Sequence, residues 1–158
     1  APGTEVEPFE EEGVSYQPCD EPGLLRGFWD AIQKYDQFIT FNGRGFDCPF
    51  MLARSAHHRI RPTTDLMSYR FAKAHERGQI DLMDQLSYFG SNRDYYSLDM
   101  WCRFLGVESP KAAGVSGGDV KDLFDGGKFE EIARYCVRDV KATAKLFQIW
   151  NEYFHFKR

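Results

Sequence analysis

No apolar run in this sequence approaches the roughly 20 residues that cross a bilayer. Nor does its start carry the charged, apolar and small-residue zones of a signal peptide. The expectation is a cytoplasmic protein with no membrane partner. Cysteine is sparse: Cys19, Cys48, Cys102 and Cys136 lie far apart and form no Cys-x-x-Cys pair. That argues against a zinc site or a disulfide framework and leaves them as small reduced residues in or near the core. Positive charge is in deficit, with 20 Lys and Arg against 24 Asp and Glu and a net charge of −4. A coat that binds nucleic acid by neutralising many phosphates is thus disfavoured. A nuclease is not, because it gathers carboxylates around cations that reverse the local sign. Internal repeats, linkers and low-complexity tracts are absent as well.

What is present is one domain's worth of ordinary globular chain. Its 158 residues are 42% apolar and 28% charged, enough for a core without disulfide staples. The 16% of aromatic residues suits a bulky core, and aromatics also serve as base-stacking platforms. The first residue is Ala1, and the opening Ala1-Pro2-Gly3-Thr4 reads as the edge of a longer protein.

Residues 1–23 are rich in Glu, Pro and Gly and offer one short strand near Val14–Tyr16. A helix follows, with Asp20 as N-cap, Pro22 in its first turn, and Leu24, Leu25, Phe28, Trp29, Ile32 and Tyr35 at helical spacing. Phe38-Ile39-Thr40-Phe41 has the profile of a buried strand, broken by Asn42-Gly43-Arg44-Gly45. A second helix starts near Asp47, tolerates Pro49 in its first turn and ends before Pro62. The middle holds a strand or turn at 80–82 and helices near 83–89 and 98–105, and residues 106–128 form a glycine-rich loop region with room for one brief helix. The last helix carries Phe129, Ile132, Ala133, Cys136, Val140, Thr143, Phe147 and Trp150 as an apolar stripe over about six turns.

Two clusters can do chemistry. In Asn42-Gly43-Arg44-Gly45-Phe46-Asp47, the glycines permit tight backbone and close approach of a ligand. Asp47 falls at a helix N-terminus, where the macrodipole favours its ionised form and a hard cation could be bound. An ordinary Asp N-cap accounts equally well for the local pattern. In Tyr135-Cys136-Val137-Arg138-Asp139, the phenol and the carboxylate lie one helical turn apart, at the edge of the apolar stripe. Taken alone, that pair reads as a half-buried Tyr beside a surface Asp.

Together the clusters are far more specific. Asn-x-x-x-Phe-Asp and, downstream, Tyr-x-x-x-Asp resemble the second and third motifs of the DEDD exonucleases. Thr40-Phe41-Asn42-Gly43-Arg44-Gly45-Phe46-Asp47, then Ile80-Asp81-Leu82-Met83-Asp84, then Tyr135-Cys136 with Asp139-Val140 resemble the predicted exonucleases related to the proofreading domain of family-B DNA polymerases. The likeness runs from about residue 24 to 150. Arg134 and Tyr135 place the chain in the tyrosine branch.

The resemblance implies an α/β, ribonuclease H-like fold, a mixed central sheet flanked by helices. It implies 3′–5′ hydrolysis of nucleic acid with two divalent cations, Mg²⁺ or Mn²⁺. Single-stranded DNA is the expected partner and RNA a possible one, and oligomeric state is left open. By the same resemblance Asp139 binds the metal that activates water, Tyr135 orients that water, Asp47 holds the second metal, and Asn42 and Phe46 position the terminal nucleotides.

One departure stands out. The family's first motif, Asp-x-Glu on an apolar strand, is not found. The nearest spacing is Glu5-Val6-Glu7, which has no apolar strand around it. Either that motif lies upstream, making this chain one N-terminally incomplete domain, or the domain is a catalytically inactive nucleic-acid-binding or interaction module. In both cases these 158 residues alone are expected to hydrolyse little. Lesser candidates are Asp81 and Asp84 as charges near the site or as a helix first turn. Arg54, His57, His58, Arg59 and Arg61 form a basic patch for phosphates or a solvated face. Lys111 and the glycines around Gly117 could form a loop over substrate. His75 and His155 have no evident partner.

Overall fold

The computed structural model of the chain describes residues 9–11, 14–16, 18–67, 78–92, 96–113 and 117–156. Glu5-Val6-Glu7, His75 and Gly114 lie outside them. The chain groups into two compact units: Ala1–Pro18 with Ser97–Ala142, and Cys19–Tyr96 with Thr143–Arg158.

The larger unit opens with helix α1 (Glu21–Ile32), begun as its sequence predicts. The Asp20 carboxylate accepts the Gly23 N–H at 2.8 Å, and Pro22 occupies the first turn where no N–H is needed. Its buried face is Leu25, Trp29 and Ile32, whereas Leu24 and Tyr35 point to solvent. Strand β3 (Gln37–Thr40) follows, then helix α2 (Asp47–His57), strand β4 (Gly78–Asp81) and the short helix α3 (Leu82–Leu86). Trp29, Ile32, Cys48 and Leu66 form a core against which Phe28, Phe38, Met51, Leu52 and Ile60 pack. Within this core Trp29 Nε1 donates to Ser55 Oγ at 2.8 Å. An indole N–H buried among apolar side chains needs such an acceptor. Helix α3 stops earlier than the apolar pattern suggests, because Tyr88 and Phe89 take left-handed φ values of 51° and 56°.

β3 and β4 pair in parallel, with Phe38 opposite Gln79, Ile39 opposite Ile80 and Thr40 opposite Asp81. Both connections therefore leave from the same end of the strands, the end at which ligands bind in open α/β sheets. Gln79, Ile80 and Asp81 of β4 are buried in succession, as a parallel strand covered on both faces requires.

The smaller unit contains an antiparallel hairpin of β1 (Phe9–Glu11) and β2 (Val14–Tyr16). It also holds helix α4 (Leu98–Phe104), capped by Ser97, and helix α5 (Val120–Asp125). Helix α6 (Phe129–Ile149) begins here and continues past Ala142 into the larger unit, where a π-turn, Trp150–Phe154, extends it. Among the described residues, then, the strands form a small parallel pair and a separate hairpin, not one mixed sheet. The α/β class itself holds.

The buried face of α6 differs from the expected stripe. Cys136 and Val140 are exposed, and Val137, Ala142, Leu146 and Trp150 are buried. Two sets of apolar residues recur at helical spacing along this helix and both arrive at Trp150, so periodicity alone does not choose between them. None of the four cysteines is in a disulfide: Cys48 and Cys102 are buried, Cys19 and Cys136 exposed. Among the described residues no helix is long and apolar enough to cross a membrane.

Candidate active site

The turn after β3 is wound on itself. Asn42 adopts a left-handed φ of 60°, and its carbonyl accepts N–H bonds from Gly45 at 3.1 Å and Phe46 at 3.0 Å. Asparagine is one of the few residues that takes this conformation at small cost. Neither Gly43 nor Gly45 is needed for a positive φ; both are needed for space. A Cβ at Gly43 would come within 2.5 Å of the Thr40 side chain, and one at Gly45 would strike Asn42 Oδ1.

This turn delivers Asp47 as the first residue of α2. The N-cap is Phe46, whose side chain caps nothing, so the Asp47 carboxylate is not occupied as a cap. The macrodipole was expected to favour ionisation of Asp47, but its carboxyl is held above the usual range. Loss of hydration on the side facing the chain comes first; its own backbone N–H opposes this and the Asp81 charge adds to it. Beside Asp47, the rings of Phe46 and Phe50 stack 6.2 Å apart, only 9° from parallel, and both are mostly exposed.

The ends of the parallel strands and the turn enclose a cavity of about 320 Å³ lined by Asn42, Arg44, Gly45, Met67, Asp81, Met83 and Asp84. Arg44 Nη1 donates to the Met67 carbonyl at 2.7 Å. Asp81 is 4% exposed and caps α3 by accepting the Met83 N–H at 3.1 Å. Gln79, also buried, donates to Thr40 Oγ1 at 2.9 Å and to Cys48 Sγ at 3.2 Å. Motif reading missed Gln79 and Met67, whereas Met83 falls within the quoted segment Ile80-Asp81-Leu82-Met83-Asp84. β4 reads Gly-Gln-Ile-Asp, so no apolar pattern set Gln79 apart, and nothing in the sequence marks Met67.

Tyr135 and Asp139 are brought together on α6, in the smaller unit. The phenol hydrogen-bonds the Asp139 carboxylate. Burial first, then the Asp139 charge and that bond, push the Tyr135 pKa up. The Arg138 guanidinium lies 6.0 Å from the Tyr135 ring centroid. Gly117 lies near the phenol, and a Cβ there would make ordinary contact at 3.9 Å from Tyr135 Oη. Asn42, Phe46 and Asp47 form their own group in the larger unit.

Other candidates have different employment. Arg54 and His58 of the basic patch bind Glu21, with Arg54 Nη2 at 2.5 Å and His58 Nε2 at 2.7 Å from its carboxylate. His155 stacks on Trp150, ring centroids 5.1 Å apart. The donors the chain offers to a metal at the two motifs are oxygens, as a hard divalent cation prefers. Among the described residues, however, no three His, Cys, Asp or Glu side chains gather as a metal-binding group.

Residues 5–156 match the family described as predicted 3′–5′ exonucleases related to the exonuclease domain of PolB. The chain is 28% identical, over 165 aligned positions, to the catalytic chain of DNA polymerase epsilon from Schizosaccharomyces pombe. That match takes in 97% of this chain and 7% of the polymerase. By structure it resembles the family B DNA polymerase of the hyperthermophilic archaeon Pyrobaculum calidifontis, with a TM-score of 0.67 at 20% identity. The likeness covers 87% of this chain and 19% of that one, so the chain spans a small part of either relative.

Proposed function

The chain belongs to the family of predicted 3′–5′ exonucleases related to the exonuclease domain of PolB, and from that premise we propose that it removes nucleotides from the 3′ ends of DNA. Single-stranded ends are favoured because a terminal base must enter a narrow site. What carries this reading is that the family match spans both motifs, Asn42 to Asp47 and Tyr135 to Asp139. The relatives are DNA polymerases, which favours DNA over RNA.

In this reading Asp47 and Asp139 supply carboxylate oxygens to two divalent cations, Mg²⁺ or Mn²⁺. Bound there, the cations supply Lewis acidity that stabilises the attacking and leaving oxygens of an in-line displacement. Tyr135, steadied by its bond to Asp139, orients the attacking water through its hydroxyl. Asn42 offers a side-chain amide to the terminal nucleotide, and Phe46 an open ring face on which a base can stack.

A second reading has one observation in its favour. Among the described residues no three potential ligands gather, which suits a domain that binds nucleic acid without cleaving it. The two readings separate in the full-length protein. Asp47→Ala and Asp139→Ala should each abolish divalent-dependent digestion of a single-stranded oligonucleotide while leaving the melting temperature near that of the parent. Digestion that survives either change removes that residue from the mechanism.

A further inference from the structure

In sequence Asp81 reads as a charge near the site or as part of a helix first turn, and in the structure it caps α3, a job that uses one acceptor. Its carboxylate does more. Oδ1 accepts the Asn42 N–H at 2.8 Å as well as that of Met83, and Oδ2 accepts the Arg44 N–H at 2.9 Å. We infer that Asp81 is a positioning residue: it pins the turn at 42–45 to the end of β4 and so fixes where Asn42 and Asp47 are presented. The inference rests on the proposed function only in treating that turn as part of an active site.

The parallel register makes the bond possible. Thr40 pairs with Asp81, so the first amides beyond β3 emerge beside the last residue of β4. Those amides have left the ladder and need another acceptor. A carboxylate meets the need with charge-assisted bonds, and three N–H donors offset the cost of holding it nearly buried. The turn is held from both sides. Asn42 is in the left-handed region, which an asparagine adopts at small cost. Its carbonyl is fixed by Gly45 and Phe46 within the turn, and its N–H is fixed by Asp81 from across the sheet.

No isosteric neutral residue can replace this carboxylate. Asparagine keeps one oxygen and sets an amide NH₂ against at least one backbone N–H. Glutamate keeps both oxygens on a longer arm. With both oxygens engaged by backbone, Asp81 acts on the site through the turn. Asp47, which caps nothing, is left to meet a ligand.

The test compares the full-length wild type with Asp81→Asn and Asp81→Glu by amide hydrogen exchange and by cleavage of a single-stranded DNA oligonucleotide with Mg²⁺. In the wild type the amides of Asn42 and Arg44 should be protected. In Asp81→Asn they should exchange at least about tenfold faster, the loss of a charge-assisted bond, while amides of residues 25–32 keep their protection. Cleavage at saturating oligonucleotide should fall by about a hundredfold, the scale of a misplaced catalytic group. KM should change little, and Asp81→Glu should recover part of the rate. Unprotected Asn42 and Arg44 amides in the wild type would overturn the inference without any variant. So would wild-type cleavage by Asp81→Asn, or a rate loss that merely follows global unfolding in residues 25–32. A wild type that cleaves nothing defeats the proposed function, and exchange alone then decides whether Asp81 holds the turn.

Discussion

Asp47 and Asp81 are aspartates of the same unit, yet their surroundings assign them different work. Asp81 is nearly buried and committed to three backbone amides, whereas Asp47 is exposed, caps nothing and has its proton affinity raised. Gly43 and Gly45, in the turn before Asp47, are a steric requirement. Gly43→Ala should cost about 1–3 kcal/mol, because its Cβ collides with Thr40 and the turn must shift; urea unfolding measures this. Tyr135→Phe keeps the ring and loses the hydroxyl bound to Asp139. Turnover should fall roughly a hundredfold, at the low end for loss of a group that handles a proton, with oligonucleotide affinity unchanged. The pairing of Tyr135 with Asp139 was legible in sequence because four residues on a helix make one turn. The role of Asp81 was not, since its partners lie 37 and 39 residues away and are backbone amides, which no side-chain pattern records.

At the scale of elements, local signals placed most helix starts and strand positions, and long-range contacts decided the rest. Asp20 and Pro22 announced α1, and the glycine turn announced α2. The pairing of β1 with β2 and the early end of α3 carried weaker signals, and the buried face of α6 was ambiguous between two apolar sets. The contact between α1 and α2 was equally illegible, although it supplies two predictions. Ser55→Ala leaves the buried Trp29 N–H without its acceptor and should cost about 1–3 kcal/mol in a urea melt. Glu21 ties the first turn of α1 to Arg54 and His58, and those bonds lower its pKa from 4.5 to about 2. A carboxylate with a depressed folded pKa contributes stability above its unfolded value and loses it as pH falls through the folded one. Glu21→Gln should therefore be less stable than the parent near neutrality, with the difference fading between pH 4.5 and 2. The pair is exposed, so the difference should also shrink in high salt.

The whole molecule carries a net charge of −4 and offers carboxylates where a nuclease must meet a polyanion. The proposed cations resolve that conflict, which makes divalent dependence the central claim and the direction of digestion its signature. Family membership over residues 5–156 supports the reading at the level of chemistry, and the likeness to the archaeal polymerase supports the fold. The most direct measurement follows a single-stranded oligonucleotide labelled at its 5′ end, incubated with the full-length protein and Mg²⁺ or Mn²⁺. The expected result is a ladder of labelled products that shorten stepwise from the 3′ end, lost on chelation and in Asp139→Ala. An oligonucleotide that is bound but keeps its full length, or one shortened equally well by Asp139→Ala, would contradict it.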